Sequence, residues 1–436
     1  MRPSNLLDTH RGRLIAFGTL YIAEGIPWGF ASTAMVMFMR LEGMSIEMIG
    51  AFAAAMVLPW GFKWAWAPLI DIVKLDRFGG RRAWILFCIT MAIITLIAMA
   101  LIDFAAHYQM LVWMVIVNNI FCATQDVAID SLAVSTLQEA ERGTANGFMF
   151  GGQYLGIALG GGGAIYVSSY FGFNASIVFI SVLMALNLLF VVVFIRDPFV
   201  RPVAVETATR QFALVIDTLR HFLRELYVGF LQSGRGPRLG VLFAVLPIGT
   251  MALAYALLGT LQVDIGLEQN AIAQLSILNT VAGGLGCLIG GALGDRFGIK
   301  RALGGCYILT ALPTLYLALA IHNLGLDAVP IRDFYAVVVS HGFLFGGAFA
   351  LHAAIFMGMT NPAVAATQFT GYMAMGNLVI SYTNLWQGIV AERVSYAAAL
   401  GLDAVLIVLS LVVLPFLQNR EAKAERGLRE PVPAVD

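Results

Sequence analysis

Charged side chains are scarce in this sequence. Only 26 Lys and Arg and 26 Asp and Glu occur among its 436 residues, and their formal charges cancel. Hydrophobic residues make up 59% of the chain and the mean hydropathy is +0.83, which lies outside the usage of soluble globular domains. Water therefore cannot be the solvent for most of the surface. The chain has no excess of basic residues of the kind that would indicate a nucleic-acid partner.

Cysteine is scarce too, and recognisable enzyme signatures are missing. The four cysteines, Cys88, Cys122, Cys287 and Cys306, fall inside apolar runs, where cysteine usually packs as a small hydrophobic residue. They predict no disulfide, metal site or redox centre. No nucleophile–base pair, metal-ligand spacing or phosphate-binding loop is recognisable. We therefore expect no enzymatic activity, no cofactor and no metal.

The sequence contains long apolar runs instead. Twelve of them approach the roughly 20 residues that a helix needs to cross about 30 Å of hydrocarbon. We expect an all-α integral membrane protein with 12 transmembrane helices in two six-helix bundles. The first run is too long for a signal-peptide core, so we expect it to be retained. Predicted spans 1 to 12 are Leu14–Phe38, Ile46–Leu69, Ala83–Ile102, Met110–Ala133, Thr144–Val167, Ala175–Ile195, Leu239–Gln262, Ile272–Leu293, Ala302–Ile321, Phe334–Gly358, Thr370–Ala391 and Tyr396–Leu417.

The distribution of Lys and Arg orients these spans. If the chain starts in the cytoplasm and alternates, 22 of the 26 basic residues fall on the cytoplasmic side. The positive-inside rule therefore predicts that both termini are cytoplasmic. The longest polar connection divides the spans six and six. This predicts an amino-terminal bundle over residues 1–195, a cytoplasmic linker over 196–238, a carboxy-terminal bundle over 239–418 and a cytoplasmic tail over 419–436.

The linker carries a helical pattern of its own. Apolar residues recur at helical spacing from Phe212 to Leu231, and charged residues such as Arg220 and Arg224 occupy the other face. We expect an amphipathic helix at the cytoplasmic interface. Its role is either to cover the base of the bundle or to provide a regulatory docking site.

A charged loop signature occurs at the equivalent place in each half. After span 2 the chain reads Asp76-Arg77-Phe78-Gly79-Gly80-Arg81-Arg82, and after span 8 it reads Asp295-Arg296-Phe297-Gly298-Ile299-Lys300-Arg301. Glycine permits a tight turn, and the basic cluster holds the loop in the cytoplasm. The second copy resembles the loop signature of the major facilitator superfamily. That resemblance implies the major facilitator fold, with a substrate site near the midplane between the halves. It also implies a gating role for Asp76, Arg77, Gly79, Arg81, Arg82, Asp295, Arg296, Gly298, Lys300 and Arg301.

Ionisable side chains lie within the predicted spans of the amino-terminal half. Glu24 lies in span 1, Lys63 in span 2, and Asp126 and Asp130 one turn apart in span 4, on the same face as Asn119. A charge at the bilayer centre costs about 2.5–3.5 kcal/mol on insertion scales, so each needs a partner or a task. One lysine cannot neutralise three carboxylates, and such a cluster can take up and release protons. We predict proton coupling by these four residues, with Lys63 alternatively holding an acidic group of the substrate. The structural alternative is that Lys63 pairs with one aspartate and the other acids lie at the wet end of span 4.

The carboxy-terminal half offers mainly uncharged polar groups. His341 and His352 share a face of span 10, and Asn377 and Asn384 lie seven residues apart on span 11. Histidine titrates near neutral pH, so this pair is a candidate for proton or substrate contact, with interhelical hydrogen bonds as the alternative. Asp403, early in span 12, fits an interfacial or a buried position. The predicted cavity-lining residues are Asn119, Gln125, His341, His352, Asn377 and Asn384.

Glycines cluster in predicted spans 5 and 8. In span 5, Gly152, Gly156 and Gly160 follow one another at four-residue spacing, which lets two helices approach closely in lipid. The same spacing resembles a proton-antiporter signature, but Ile157 stands where that signature has proline. We therefore interpret these glycines as packing positions.

Four short segments carry a family pattern: they are Ala67-Pro68-Leu69-Ile70-Asp71, Ala123-Thr124-Gln125-Asp126-Val127-Ala128-Ile129-Asp130, Glu141-Arg142-Gly143 and Ala366-Thr367-Gln368-Phe369. They resemble the AmpG-type permease family, which includes muropeptide importers, acetyl-CoA transporters and some siderophore importers. The resemblance covers the amino-terminal half well and the other half thinly. It implies that Lys63, Asp126 and Asp130 are transport residues, whereas Glu24 departs from the muropeptide importers.

The combined expectation is a proton-coupled secondary transporter of the inner membrane. By resemblance, the imported cargo is a bulky, polar, anionic solute such as a peptidoglycan muropeptide, with a siderophore or an acetyl-CoA-like metabolite as the alternative. A non-transporting binding or assembly protein on the same fold is the alternative from another class. Expected partners are a small-molecule solute, protons and the lipid bilayer, and the protein is expected to be a monomer.

Overall fold

The computed structural model describes residues 5–67, 70, 79–102, 106–138, 142–197, 208–232, 235–360 and 365–417. Within these ranges all regular secondary structure is helical, in agreement with the predicted class. The amino-terminal half contains α1 His10–Leu41, α2 Ile46–Ala65, α3 Arg81–Ala100, α4 Tyr108–Thr136, α5 in the consecutive pieces Arg142–Ala158, Leu159–Gly163 and Ala164–Phe171, and α6 Phe173–Phe194. The linker contains α7 Ala208–Tyr227, and the carboxy-terminal half contains α8 Arg235–Ala244, α9 Ala256–Asp264, α10 Gln269–Phe297, α11 Ile299–Leu324, α12 Ile331–Met359, α13 Ala365–Arg393 and α14 Tyr396–Val413.

Nine helices within these ranges are long and apolar enough to cross a membrane. They correspond to predicted spans 1–4, 6, 8–10 and 12. The other three are predicted spans 5, 7 and 11. Span 5 is divided by a π turn at Leu159–Gly163, and span 7 is broken into the short helices α8 and α9. Span 11, which is α13, carries several amide side chains. The count of twelve spans and the orientation of the termini remain predictions.

The glycines of α5 pack against α1. A Cβ atom added to Gly156 would lie 2.9 Å from the Cα atom of Gly25, and one added to Gly152 would lie 3.3 Å from the Cα atom of Gly18. Only glycine permits so close an approach of two backbones. The packing interpretation of this glycine pattern is therefore confirmed.

The first span after the linker is divided, so the prediction of one run from Leu239 to Gln262 is wrong in its middle. Helix α8 ends at Ala244 and α9 begins at Ala256. Pro247, between them, has no N–H to donate to a helix, and Gly249 has a φ of +71°, in the left-handed region that favours glycine. Residues 245–255, here called the break, are held by side chains of neighbouring helices.

The linker helix α7 contacts both halves of the protein. Phe222 stacks on Trp64 of α2 with ring centroids 5.8 Å apart. Thr367 of α13 donates a hydrogen bond of 2.6 Å to Glu225. The helix predicted in the linker is thus present, and we call the side of the molecule where it lies the linker face.

Two ion pairs join the halves at the side opposite the linker face, here called the far face. The connections from α1 to α2 and from α13 to α14 lie on this side. Arg40 at the end of α1 makes two hydrogen bonds, of 2.6 and 2.7 Å, to Asp264 at the end of α9. Arg393 at the end of α13 makes two, of 3.0 and 2.8 Å, to Glu47 of α2. Among the described residues, all ion pairs between the halves lie at this face. The far face is therefore closed in this structure.

Candidate functional site

The ionisable residues predicted in the amino-terminal half come together inside it. Glu24 of α1 and Asp126 of α4 are 3% and 4% exposed, and Asp130 and Lys63 are half-buried. Glu24, Lys63, Asp126 and Asp130 all interact electrostatically with one another. Because α4 presents its two aspartates one turn apart, both reach the space between α1 and α2.

Lys63 lies where α2 changes from an α-helix to a 3-10 turn. Regular α-helix ends at Phe62, after Pro59, and Lys63–Ala65 form a single 3-10 turn. The Lys63 ammonium forms an ion pair with Asp126, and its Nζ atom lies 5.5 Å from the centre of the Trp60 ring, as in a cation–π contact. One aspartate is therefore paired with the lysine, as the structural alternative required.

The other two acids are held by neutral groups. Tyr21 Oη donates a 2.6 Å hydrogen bond to Asp130 Oδ1, and Gln153 Nε2 of α5 donates a 2.7 Å hydrogen bond to Glu24 Oε1. The second oxygen of Glu24, Oε2, is buried without a hydrogen-bond partner in the described part of the chain. The cluster thus contains three carboxylates and one cation, and it can hold exchangeable protons.

Tyr21 and Gln153 were not singled out in the sequence. Tyr21 lies three residues before Glu24 and so shares its face of α1. Gln153 is an isolated amide on the glycine-rich helix that packs against α1. For Tyr21 the signal was a polar residue at helical spacing from a buried acid. For Gln153 it was a polar residue on the helix that packs against that acid.

Trp60, beside the cluster, makes hydrogen bonds within the amino-terminal half and to the carboxy-terminal half. Its Nε1 atom donates a 3.0 Å hydrogen bond to Asn119 Oδ1, and its backbone oxygen accepts one of 3.2 Å from Asn377 of α13. The Trp28 ring meets the Trp60 ring edge-on at 5.5 Å. Two of the predicted cavity residues, Asn119 and Asn377, are therefore brought to one tryptophan beside Lys63.

Gln125 lies next to Asp126 in the chain and is 1% exposed. Its Nε2 atom has no hydrogen-bond partner among the residues described. A buried amide donor without an acceptor is costly, and a bound polar ligand is one way to satisfy it. The predicted cavity role of Gln125 stays a prediction.

The predicted polar residues of α12 and the second asparagine of α13 lie apart from the acidic cluster. His341 Nε2 contacts the backbone oxygen of Thr250 at 2.9 Å, and His352 Nδ1 contacts Tyr307 Oη at 2.6 Å. Asn384 Oδ1 accepts a 3.2 Å hydrogen bond from the backbone N–H of Ala256, at the start of α9. Both histidines are buried; His341 bonds to the break and His352 to α11, and their proton or substrate role remains a prediction.

The two loop signatures are described in part. In the first copy, Arg81 donates a 2.8 Å hydrogen bond to Ser131 of α4 and Arg82 one of 2.8 Å to the backbone oxygen of Val192 of α6. Gly79 has a φ of +109°, which suits a turn. Asp76 and Arg77 lie outside the described residues, as do Pro68, Leu69, Asp71 and Glu141 of the AmpG-like segments.

In the second copy, Gly298 separates α10 from α11 with a φ of +86°. Lys300 donates a hydrogen bond to the backbone oxygen of Leu417, and Arg296 lies 5.3 Å from the ring centre of Phe297. Asp295 and Arg301 are exposed. These contacts tie the basic residues to helix ends on the linker face, and their gating role remains a prediction.

The fold and the sequence together define the class of this protein. The family model described as Major Facilitator Superfamily matches residues 17–258 and 239–435. The chain belongs to the major facilitator superfamily. It is a multi-pass membrane transporter that moves a small-molecule solute, and it is not an enzyme.

Within the superfamily, the predicted resemblance to AmpG-type permeases is confirmed. The chain is 25% identical over 299 residues to the putative transporter AmpG 4 of Rickettsia conorii, covering 67% of this chain and 70% of that protein. It is 30% identical over 152 residues to the anhydromuropeptide permease of Escherichia coli strain K12, covering 34% of this chain and 30% of that protein.

A solved structure shares the fold. The inward-open xylose transporter XylE from E. coli superposes with a TM-score of 0.71 at 12% identity, covering 95% of this chain and 98% of that one. At this identity the likeness concerns the fold alone.

Proposed function

We propose that this protein is a proton-coupled importer of a bulky, polar, anionic solute such as a peptidoglycan muropeptide, in the inner membrane. The observation that carries the proposal is the buried cluster of three carboxylates and one lysine. A purely structural bundle has little reason to keep such a cluster, because burying uncompensated charge is costly. The AmpG-type relatives, one of them named for anhydromuropeptide, support the cargo class.

The proton site in this proposal is Glu24 together with the Lys63–Asp126 pair. The Oε2 atom of Glu24 is an unoccupied acceptor in a buried setting, so it can receive a proton without breaking its bond to Gln153. A proton on Asp126 weakens its attraction to Lys63 and frees the ammonium. Asp130, held by Tyr21, supplies the third carboxyl of the same relay.

The cargo site in this proposal is beside Lys63. A freed ammonium binds an anionic group of the solute. Protonation of Asp126 and binding of the solute to Lys63 therefore both break the Lys63–Asp126 ion pair. Solute binding is coupled to protonation because an anion displaces Asp126 from Lys63 most readily once that carboxylate is neutral.

The linker face in this proposal is cytoplasmic, as the positive-inside rule predicts from the distribution of Lys and Arg. Closure of the far face by Arg40–Asp264 and Arg393–Glu47 is then closure toward the outside of the cell.

The proposal is tested by reconstituting the protein in liposomes. Uptake of an anhydromuropeptide, a siderophore and acetyl-CoA is measured with and without an inward proton gradient. We expect the muropeptide alone to accumulate, and only with the gradient. Accumulation of another cargo would correct the substrate, and no movement of any cargo would contradict the transporter assignment for these solutes. Asp327→Asn, which alters an exposed carboxylate outside the long helices, is the matched control and is expected to behave as the wild type.

A further inference from the structure

The break between α8 and α9 is held by a buried carboxylate that the acidic cluster does not use. Asp403 of α14 is 0% exposed. Its Oδ2 atom accepts hydrogen bonds from the backbone N–H groups of Met251 and Ala252, at 2.7 and 2.9 Å. Its Oδ1 atom accepts one of 3.0 Å from Gln387 Nε2 of α13. All three bonds are donated to Asp403, the pattern of an ionised carboxylate.

The same helix also holds the far end of α9. Tyr396 lies seven residues before Asp403 and so shares its face of α14. Tyr396 Oη donates a 2.7 Å hydrogen bond to Asp264 at the last residue of α9. Helix α9 is therefore fastened to α14 at the break before it and at its own end.

Helix α9 in turn closes the far face against the amino-terminal half. Asp264 receives the two hydrogen bonds from Arg40 of α1. Midway along α9, a Cβ atom added to Gly259 would lie 2.6 Å from a methyl carbon of Val36, so the two helices are in close contact. Any change that moves the break also moves the partner of Arg40.

We propose that Asp403 is the positioning residue of the far-face gate: by accepting the N–H groups of Met251 and Ala252 it fixes the break and so keeps α9 seated on α1. This goes beyond the solute and proton assignments above and holds whichever cargo is carried. When the acceptor is removed, two buried N–H groups lose their partner. They regain hydrogen bonds only if the break rewinds or takes up water, and either change displaces α9.

Gln387 shows how the acceptor can be kept while the charge is removed. Its Oε1 atom is buried without a partner in the described chain, because its amide nitrogen is turned toward Asp403. In Asp403→Asn, the new amide donates to that free oxygen once Gln387 turns its amide over, and the asparagine oxygen still accepts from the backbone. Asp403→Asn is therefore expected to preserve the gate, whereas Asp403→Ala removes the acceptor.

The test is a distance measurement across the far face. Spin labels are placed at Glu42, after α1, and Glu268, before α10, both exposed, with the four native cysteines replaced by alanine. Distances are measured in liposomes by double electron–electron resonance. We expect one short distance for the wild type and Asp403→Asn, and an added longer-distance population for Asp403→Ala. Asp403→Glu is expected to open as well, because the longer side chain shifts its oxygens off the two N–H groups, and it provides the test if the alanine variant does not fold.

The matched control is Ser410→Ala on the same helix. Ser410 donates a 2.8 Å hydrogen bond to the backbone oxygen of Pro247 in the same break, so its loss perturbs the segment without removing the acceptor of the two N–H groups. A wild-type distance in Asp403→Ala overturns the proposal, as does equal opening in Ser410→Ala or in Asp403→Asn. The distances need no transported solute, so failure of the transport proposal and failure of this one are observed separately.

Discussion

The two halves of this permease bury polar groups in different ways. In the amino-terminal half, three carboxylates surround one lysine, and Glu24 Oε2 has no partner in the described chain. In the carboxy-terminal half, the buried acid Asp403 receives three hydrogen bonds, and His341 joins a network with Thr250. The first arrangement has more acids than cations, and the second uses a single acid to accept the backbone N–H groups of a broken helix. In the proposed mechanism, the amino-terminal half carries the proton chemistry and the carboxy-terminal half holds the far face closed.

Removing the lysine tests this contrast most severely. Lys63→Ala leaves Asp126 as an unpaired buried charge, which typically destabilises a protein by about 3–5 kcal/mol. We expect a large drop in the midpoint of thermal unfolding and complete loss of uptake, measured on purified protein and on proteoliposomes. The double variant Lys63→Met with Asp126→Leu restores the unfolding midpoint but not uptake. Recovered uptake in the double variant would show that the pair is only structural.

Neutralising the paired aspartate alone separates binding from coupling. Asp126→Asn keeps the shape of the side chain, and the Lys63 ammonium retains Asp130 and Glu24 within electrostatic reach. We expect the variant to fold and to exchange solute across the membrane without accumulating it against a gradient. Counterflow and gradient-driven uptake, compared in the same liposomes, measure this. Accumulation at the wild-type level would remove Asp126 from the coupling assignment.

The more enclosed ion pair of the far face is expected to have the next largest effect. Arg40 and Asp264 are 22% and 17% exposed and share two hydrogen bonds. Charge-assisted bonds of this kind contribute about 1.5–3 kcal/mol, so Arg40→Ala is expected to shift the equilibrium toward an open far face by about 10- to 100-fold. The Glu42–Glu268 spin-label distance reports the shift. An unchanged distance distribution would mean that other contacts close this face.

The outer ion pair of the same face is expected to matter least. Arg393 and Glu47 are 65% and 36% exposed, and exposed pairs are weak because water and salt screen them. Arg393→Ala is therefore expected to leave both the spin-label distance and the uptake rate at wild-type values. A shift as large as that of Arg40→Ala would contradict the ranking of the two pairs by burial.

The features that could be predicted from the sequence were those within one helix or one repeated motif. Apolar run length located the long helices, and four-residue glycine spacing predicted that α5 packs closely against another helix. The excess of acids over Lys63 predicted a cluster because all four residues had to lie in low-dielectric spans. These signals depend on the helical period alone.

The missed features depend on which helices are neighbours. Gln153 reaches Glu24 only because α5 packs on α1, and Asp403 reaches the break only because α14 lies beside α8 and α9. Pro247 and Gly249 were visible in the sequence, but proline and glycine also occur within unbroken transmembrane helices. The compensating hydrogen bonds that permit a break come from distant parts of the chain, so one sequence did not reveal them.

The central claim is that Glu24 carries the coupled proton, and one measurement tests it most directly. Glu24→Gln keeps an oxygen that can accept the hydrogen bond from Gln153, and it removes the ionisable carboxyl group. With Asp327→Asn as the control, proton influx and anhydromuropeptide uptake are recorded together in liposomes under an inward proton gradient. The account predicts that the variant equilibrates the solute but neither accumulates it nor carries a solute-dependent proton flux. Accumulation and proton flux at wild-type levels in Glu24→Gln would contradict it.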